Sequence, residues 1–248
     1  MLDYGLDLSA VPRDVALPDL VAEGEDLDAL VSAEPDWSKP TPAVGWTIGH
    51  QIAHLAAADA NVLIAIRTPA AFDAVLKQTE DVDSAAATPR AELLTQWRTG
   101  RAEVAAALRD IPLDQGFPWF GSELTATLMV PLRLMETWAH GQDIFDALGI
   151  AHPPSSRLQH IAALGVAGRE LSFYAAQLST PAEPFRVELT APDGQLWTWG
   201  PVAAAQRIQG NALDFCLRVT QRRPLAETGL TAVGADASKW LEIARVFL

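Results

Sequence analysis

The chain has 248 residues, 49% of them hydrophobic, with 31 acidic against 18 basic side chains and a formal net charge of −13. That length and apolar fraction bury a substantial core, as one large domain or two modest ones, which excludes a disordered chain. The acidic balance repels phosphate backbones and anionic lipid surfaces, and no local basic patch overrides it, so nucleic acid is set aside as a partner.

The start, MLDYGLDLSAVPRD, has neither the basic region nor the apolar run of a secretory signal. The most apolar stretch, 52–66, carries His54, Asp59 and Asn61 and is too short and too polar to span a bilayer. These features predict a cytoplasmic protein with no membrane partner. The first 150 residues read as helices at 17–34, 47–67, 69–79, 89–110 and 124–148, with almost no alternating β-branched pattern. Thr47 after Gly45-Trp46 is an N-cap candidate, and Thr88-Pro89 supplies a cap followed by proline at a first turn. Four of the segments are long enough for a bundle, with 69–79 as connector. After Gly149, the stretch Ile150-Ala151-His152-Pro153-Pro154 cannot easily continue a helix and marks a domain boundary, giving domains of 1–150 and 157–248. The second opens with a helix at 157–178. Phe185-Arg186-Val187-Glu188-Leu189-Thr190 then alternates, Pro192-Asp193-Gly194 turns, and Leu196-Trp197-Thr198-Trp199 pairs back as a hairpin. A helix at 201–220, a short strand at 230–234 and a last helix at 236–246 complete a small α+β unit, with no internal repeat.

Two helical stretches carry metal-ligand types four residues apart, His50/His54 and Glu136/His140. Residues at that spacing share one helical face, so both members of a pair can point at one ion. Imidazole and carboxylate suit Zn²⁺, Ni²⁺ or Fe²⁺, and a set of two imidazoles and one carboxylate leaves a coordination position open, as catalytic sites do. The plainer readings are an ordinary helical ion pair for Glu136/His140 and a polar patch at a helix start for His50/His54. A zinc-protease motif is excluded, because it needs glutamate after the first histidine and this chain has Gln51. The lone Cys216 lies in an apolar run with no cation beside it and reads as a buried, inert thiol.

At these residues the sequence resembles the DinB-like, mycothiol-dependent maleylpyruvate isomerase family of actinobacteria. The resemblance runs through Asp36-Trp37, Pro40-Thr41-Pro42, Gly45-Trp46-Thr47-Ile48 and Ala53-His54-Leu55, and resumes from Arg133 to Ile144 around Glu136-Thr137-Trp138-Ala139-His140. Asp193-Gly194 with Trp197, Gly210-Asn211-Ala212, Arg222-Arg223 and Val233-Gly234 resemble the smaller α+β domain, sterol-carrier-like in fold, of many family members. The implied architecture is a DinB-like four-helix bundle followed by that α+β domain. The implied metal ligands are His54, Glu136 and His140, with zinc the usual ion. His50 then falls outside the ligand set, where relatives often have an acidic residue, and takes a supporting role, as does Asp143, one turn beyond His140.

The resemblance further implies a thiol co-substrate, mycothiol, brought to the metal as nucleophile. It either adds to an activated carbon–carbon double bond, permitting rotation and expulsion, or is transferred to a small electrophile. Arg133, on nearly the same face as Glu136, is a candidate for a substrate carboxylate or for pairing with Glu136. Arg222 or its neighbour Arg223 stands where the family's second domain has an arginine directed at the active site; a solvated helix end is the plainer reading. Trp119 and Phe120 either wall the pocket or pack in the core. The expected protein is an enzyme, isomerase or S-transferase, monomeric or homodimeric. Its rivals are a non-catalytic metal- or thiol-binding, stress-associated protein of the same fold, and a metal-free bundle.

Overall fold

The structure is a computed structural model that describes residues 13–75, 77, 82–120 and 122–246. Residues 13–152 and 153–246 form two compact units. In the first, helices α1 (Arg13–Ala33), α2 (Ile48–Arg67), α5 (Arg90–Asp110) and α6 (Ala126–Leu148) are the long elements. Around the bundle α1 neighbours α5 and α6, and α2 neighbours the same two. The short helices α3 (Phe72–Val75) and α4 (Val82–Ala86) connect α2 to α5. Of the expected 69–79 connector, 69–71 is a 3-10 turn and 72–75 is α3, whereas 76, 78 and 79 lie outside the described residues.

Apolar side chains recurring at helical spacing build the core. Leu27 and Val31 of α1, Ile48, Ile52 and Leu55 of α2, Leu93, Leu94 and Trp97 of α5 and Ile144 of α6 form one buried cluster with Trp37. Side chains buried this completely each contribute about 1.5–3 kcal/mol. Thr47 starts α2 from an extended conformation, and its hydroxyl and backbone N–H both meet His50 Nδ1, at 2.7 and 3.2 Å. Gly149 ends α6 in the left-handed conformation that only glycine adopts without strain, and Ile150 N–H returns to Phe145 O at 3.0 Å.

One element here escaped the sequence reading. Gly116–Trp119 (β1) and Ser122–Thr125 (β2) pair as an antiparallel hairpin immediately before α6. Its strands are four residues each and contain Pro118, so neither shows the length or the alternation that signals a strand.

The second unit opens with α7 (Leu158–Ala167) and α8 (Arg169–Ala175), so the single helix expected at 157–178 is divided at Gly168 and ends earlier. A four-stranded sheet follows, its strands in the spatial order Leu196–Trp199, Phe185–Thr190, Gln206–Asn211, Thr231–Val233. The expected hairpin is present as β3 (Phe185–Thr190) and β4 (Leu196–Trp199), with Leu189 opposite Trp197. The helix expected over 201–220 is corrected. Residues Gln206–Asn211 are a strand, β5, lying parallel to β3, and only Ala212–Val219 is helical, as α9. Pairing on both sides of β5 overrides its local composition, and Asn211 marks the change by capping α9, its side chain accepting Asp214 N–H at 2.7 Å. β6 (Thr231–Val233) and α10 (Ala235–Ile243) close the unit. Phe185, Val187, Leu189, Ile208, Phe215 and Trp240 supply its core.

Candidate metal centre

His54 lies two turns into α2, and Glu136 and His140 share one face of the neighbouring α6. Their nearest ligand atoms all lie within 4.8 Å of one another. His54 Nε2 and His140 Nε2 are 3.5 and 3.4 Å from the same oxygen, Glu136 Oε2. Those separations are long for a charge-assisted hydrogen bond. They match the edge of a coordination tetrahedron, since donors about 2.0–2.1 Å from an ion at tetrahedral angles stand about 3.3–3.4 Å apart. All three side chains are half-buried, so solvent or a ligand retains one open side. Burial works to raise the Glu136 pKa, but the two histidines and the charge of Arg133 outweigh it and hold the carboxyl well below its usual range. A deprotonated carboxylate and two imidazoles form a donor set that fits a first-row divalent ion.

His50 is committed elsewhere: Nδ1 meets Thr47, and Nε2 lies 3.1 Å from Asp83 Oδ1. Asp143 is buried one turn beyond His140. The nitrogen of His140 that points away from Glu136, Nδ1, is 2.5 Å from Gln51 Oε1. Trp46 lies against the histidines, its ring 5.4 Å from His54 and 6.0 Å from His140. Sequence reasoning quoted both Gln51 and Trp46 without giving them these positions. The signal was slight: a polar residue amid the apolar face of α2, and an aromatic just before its cap.

Arg133, read in the sequence as a candidate for a substrate carboxylate or for Glu136, makes its ion pair with Asp59. Its side chain is 3% exposed and donates through Nη2 to Asp59 Oδ1 at 2.9 Å, so the carboxylate it directly neutralises is the protein's own. Burial raises the Asp59 pKa against the opposing charge of Arg133. Trp119 and Phe120 sit at the tip of the β1–β2 hairpin and pack on the buried Phe72, with ring centroids 5.7 and 5.5 Å from it. Arg222 belongs to the second unit, where its Nη1 donates to Thr220 O at 2.8 Å just after α9; Arg223 Nη1 donates to Arg222 O. Cys216 is fully buried, its thiol directed at Leu158 O and pushed up in pKa by burial, as expected for an inert cysteine.

Fold and site together define a class: a helical bundle of DinB type with inward-facing histidine and glutamate donors, joined to a small α+β unit. Comparison with known proteins makes the assignment specific. The family model described as mycothiol maleylpyruvate isomerase N-terminal domain matches residues 20–145, and the chain belongs to that family. A second model, described as wyosine base formation, matches residues 181–233. Two uncharacterized proteins of Mycobacterium tuberculosis, from strains CDC 1551 / Oshkosh and ATCC 25618 / H37Rv, are each 48% identical over 240 residues, covering 92% of this chain and 93% of theirs. Among solved structures, that of the mycothiol-dependent maleylpyruvate isomerase is similar with a TM-score of 0.62, at 15% identity over 94% of this chain and 95% of that one. A histidine-to-alanine mutant of that enzyme gives a TM-score of 0.61 with the same identity and coverage. At this identity the likeness shows the fold. Among the described residues, no helix is long and apolar enough to cross a membrane.

Proposed function

We propose that this protein is a metal-dependent enzyme that uses a low-molecular-weight thiol, mycothiol, as nucleophile toward a small unsaturated or electrophilic acid. The observation that carries the reading is the convergence of His54, Glu136 and His140 in a chain of the mycothiol maleylpyruvate isomerase N-terminal domain family. When bound, a divalent ion, zinc before nickel or iron, supplies the Lewis acidity that lowers the pKa of an incoming thiol. The residues of the chain prepare that chemistry. Glu136 is already deprotonated, so it offers an anionic oxygen without first losing a proton. Both histidines present Nε2 to that oxygen, and the Trp46 ring lies against both of theirs. Buried Cys216 offers no competing nucleophile, so the thiol comes from outside the chain.

In the isomerase form, sulfur bonds to one alkene carbon while the π pair moves onto the conjugated carbonyl. Rotation about the resulting single bond follows, and expulsion of the thiol restores the double bond. In the transferase form the carbon–sulfur bond persists and the thiol is consumed. By the family resemblance, Arg222 or Arg223 is the candidate for a substrate carboxylate; methionine in place of that arginine is then expected to raise KM with a smaller change in kcat, since it removes binding rather than chemistry.

The deciding assay uses the zinc-loaded full chain with mycothiol and a panel of cis-unsaturated keto acids, maleylpyruvate among them, and simple electrophiles. Loss of the cis acid at constant thiol identifies an isomerase, and stoichiometric thiol loss identifies a transferase. No turnover across the panel, together with no mycothiol binding by calorimetry, returns the protein to a non-catalytic role.

A further inference from the structure

We propose that Gln51 and Thr41 are positioning residues whose hydrogen bonds dictate which nitrogen of His140 faces the ligand cluster. The inference deepens the metal reading above and rests on it for its functional meaning, but not for its geometry. Its origin is a backbone carbonyl. Trp46 O accepts Thr41 N–H at 2.8 Å and the Thr41 hydroxyl at 3.1 Å. A carbonyl can only accept, so the hydroxyl proton is committed to it and Thr41 Oγ1 is left as an acceptor. Gln51 Nε2, 2.9 Å away, fills that role as donor. With its amino end on Thr41, the amide turns its oxygen to His140 Nδ1, at 2.5 Å. An amide oxygen cannot donate, so Nδ1 must carry the proton. The nitrogen left to face Glu136 is Nε2, 3.4 Å from Oε2, the one that a metal would need. Reversing the amide would set its NH₂ against Nδ1 and draw the Thr41 hydroxyl away from Trp46 O.

Two further observations fit orientation better than packing. Gln51 is 0% exposed on the bundle side of α2, where a leucine would pack without a desolvation cost. Both of its polar ends are used, one on a residue 10 positions away and the other on one 89 away. The loop bearing Thr41 is itself tied to the start of α2, with Ile48 N–H on Lys39 O and Gly49 N–H on Trp37 O at 3.1 and 3.0 Å. The relay therefore begins from a fixed point.

The test uses full-length chain labelled with ¹⁵N-histidine, read by long-range ¹H–¹⁵N correlation, with zinc affinity measured by chelator competition. In the metal-free wild type, the expected result is a slowly exchanging proton on His140 Nδ1, whether the ring is neutral or charged. Gln51→Met should abolish that slow exchange and weaken zinc about 10–100-fold, as loss of such supporting hydrogen bonds does at other metal sites. Gln51→Glu, which keeps an acceptor, should stay within a few-fold of wild type. Thr41→Val removes the anchor outside the helix and should speed Nδ1–H exchange with a smaller loss of zinc affinity; it carries the test if Gln51→Met does not fold. A bare Nδ1 in the wild type, or zinc bound as tightly by Gln51→Met or by Thr41→Val as by wild type, overturns the proposal. A wild type that shows the Nδ1 proton yet binds no zinc overturns the metal reading instead and leaves the relay standing.

Discussion

Glu136 is the oxygen that both histidines approach, so its substitution separates a metal site from a helical ion pair most sharply. Glu136→Gln should lose stoichiometric zinc by elemental analysis, and His54→Ala should do the same from the other helix. If either variant retained a full equivalent of metal, the three-residue set would be wrong. The buried Asp59–Arg133 pair behaves differently, because neither partner is a proposed ligand. Asp59→Asn strands a buried guanidinium and should cost about 3–5 kcal/mol in urea denaturation. Of this scale, the i, i+4 pairs were legible, because they are local and helical geometry converts spacing into a shared face, whereas the choice of His54 over His50 came from the family resemblance. Gln51 and Asp59 were not legible, since their partners His140 and Arg133 lie 89 and 74 residues away on another helix. Register between two helices is set by packing that no single segment encodes.

Between elements, Asp28 joins α1 to α5. It accepts from Arg98 Nε and Nη2 at distances from 2.6 to 3.0 Å and from Arg101 Nη2 at 2.7 Å. Burial opposes ionisation, yet these bonds and one from Ser32 lower its pKa to about 2, from 3.8. A carboxylate whose folded pKa is depressed stabilises the fold above its unfolded pKa, and that contribution disappears as pH falls through the folded value. Asp28→Asn should therefore lower stability by about 1–2 kcal/mol at pH 7, allowing for the partial exposure of Arg98, and the difference from wild type should shrink between about pH 4 and pH 2. A pH-independent difference would show that packing alone is lost. In the second unit, a Cβ at Gly165 would lie 2.9 Å from Phe215 and 3.0 Å from Val219, where α7 crosses α9. Gly165→Ala should cost about 1–3 kcal/mol in thermal or urea melts, despite alanine's better helix propensity. Long amphipathic helices were read within a few residues of their ends, because periodicity accumulates over their length. The β1–β2 hairpin and β5 were missed because short strands take their identity from the neighbour they pair with, not from their own composition.

At the scale of the molecule, the chain divides into two compact units, and His54, Glu136 and His140 all belong to the first. Gly149 ends α6, and Pro153-Pro154 bars a helix from continuing through the stretch that follows. Cys216, buried in the second unit, should resist a thiol reagent until the chain unfolds, and Cys216→Ser should leave thiol-dependent turnover intact. Rapid labelling of the native protein would contradict that burial. The proposed centre is a metal held by two imidazoles and one carboxylate, with a place left for an external sulfur. X-ray absorption at the zinc edge of the zinc-loaded protein, before and after adding mycothiol, reads this directly. The expected first shell holds nitrogen and oxygen at about 2.0–2.1 Å and gains one sulfur at about 2.3 Å with mycothiol. A closed four-ligand shell that mycothiol leaves unchanged would contradict it.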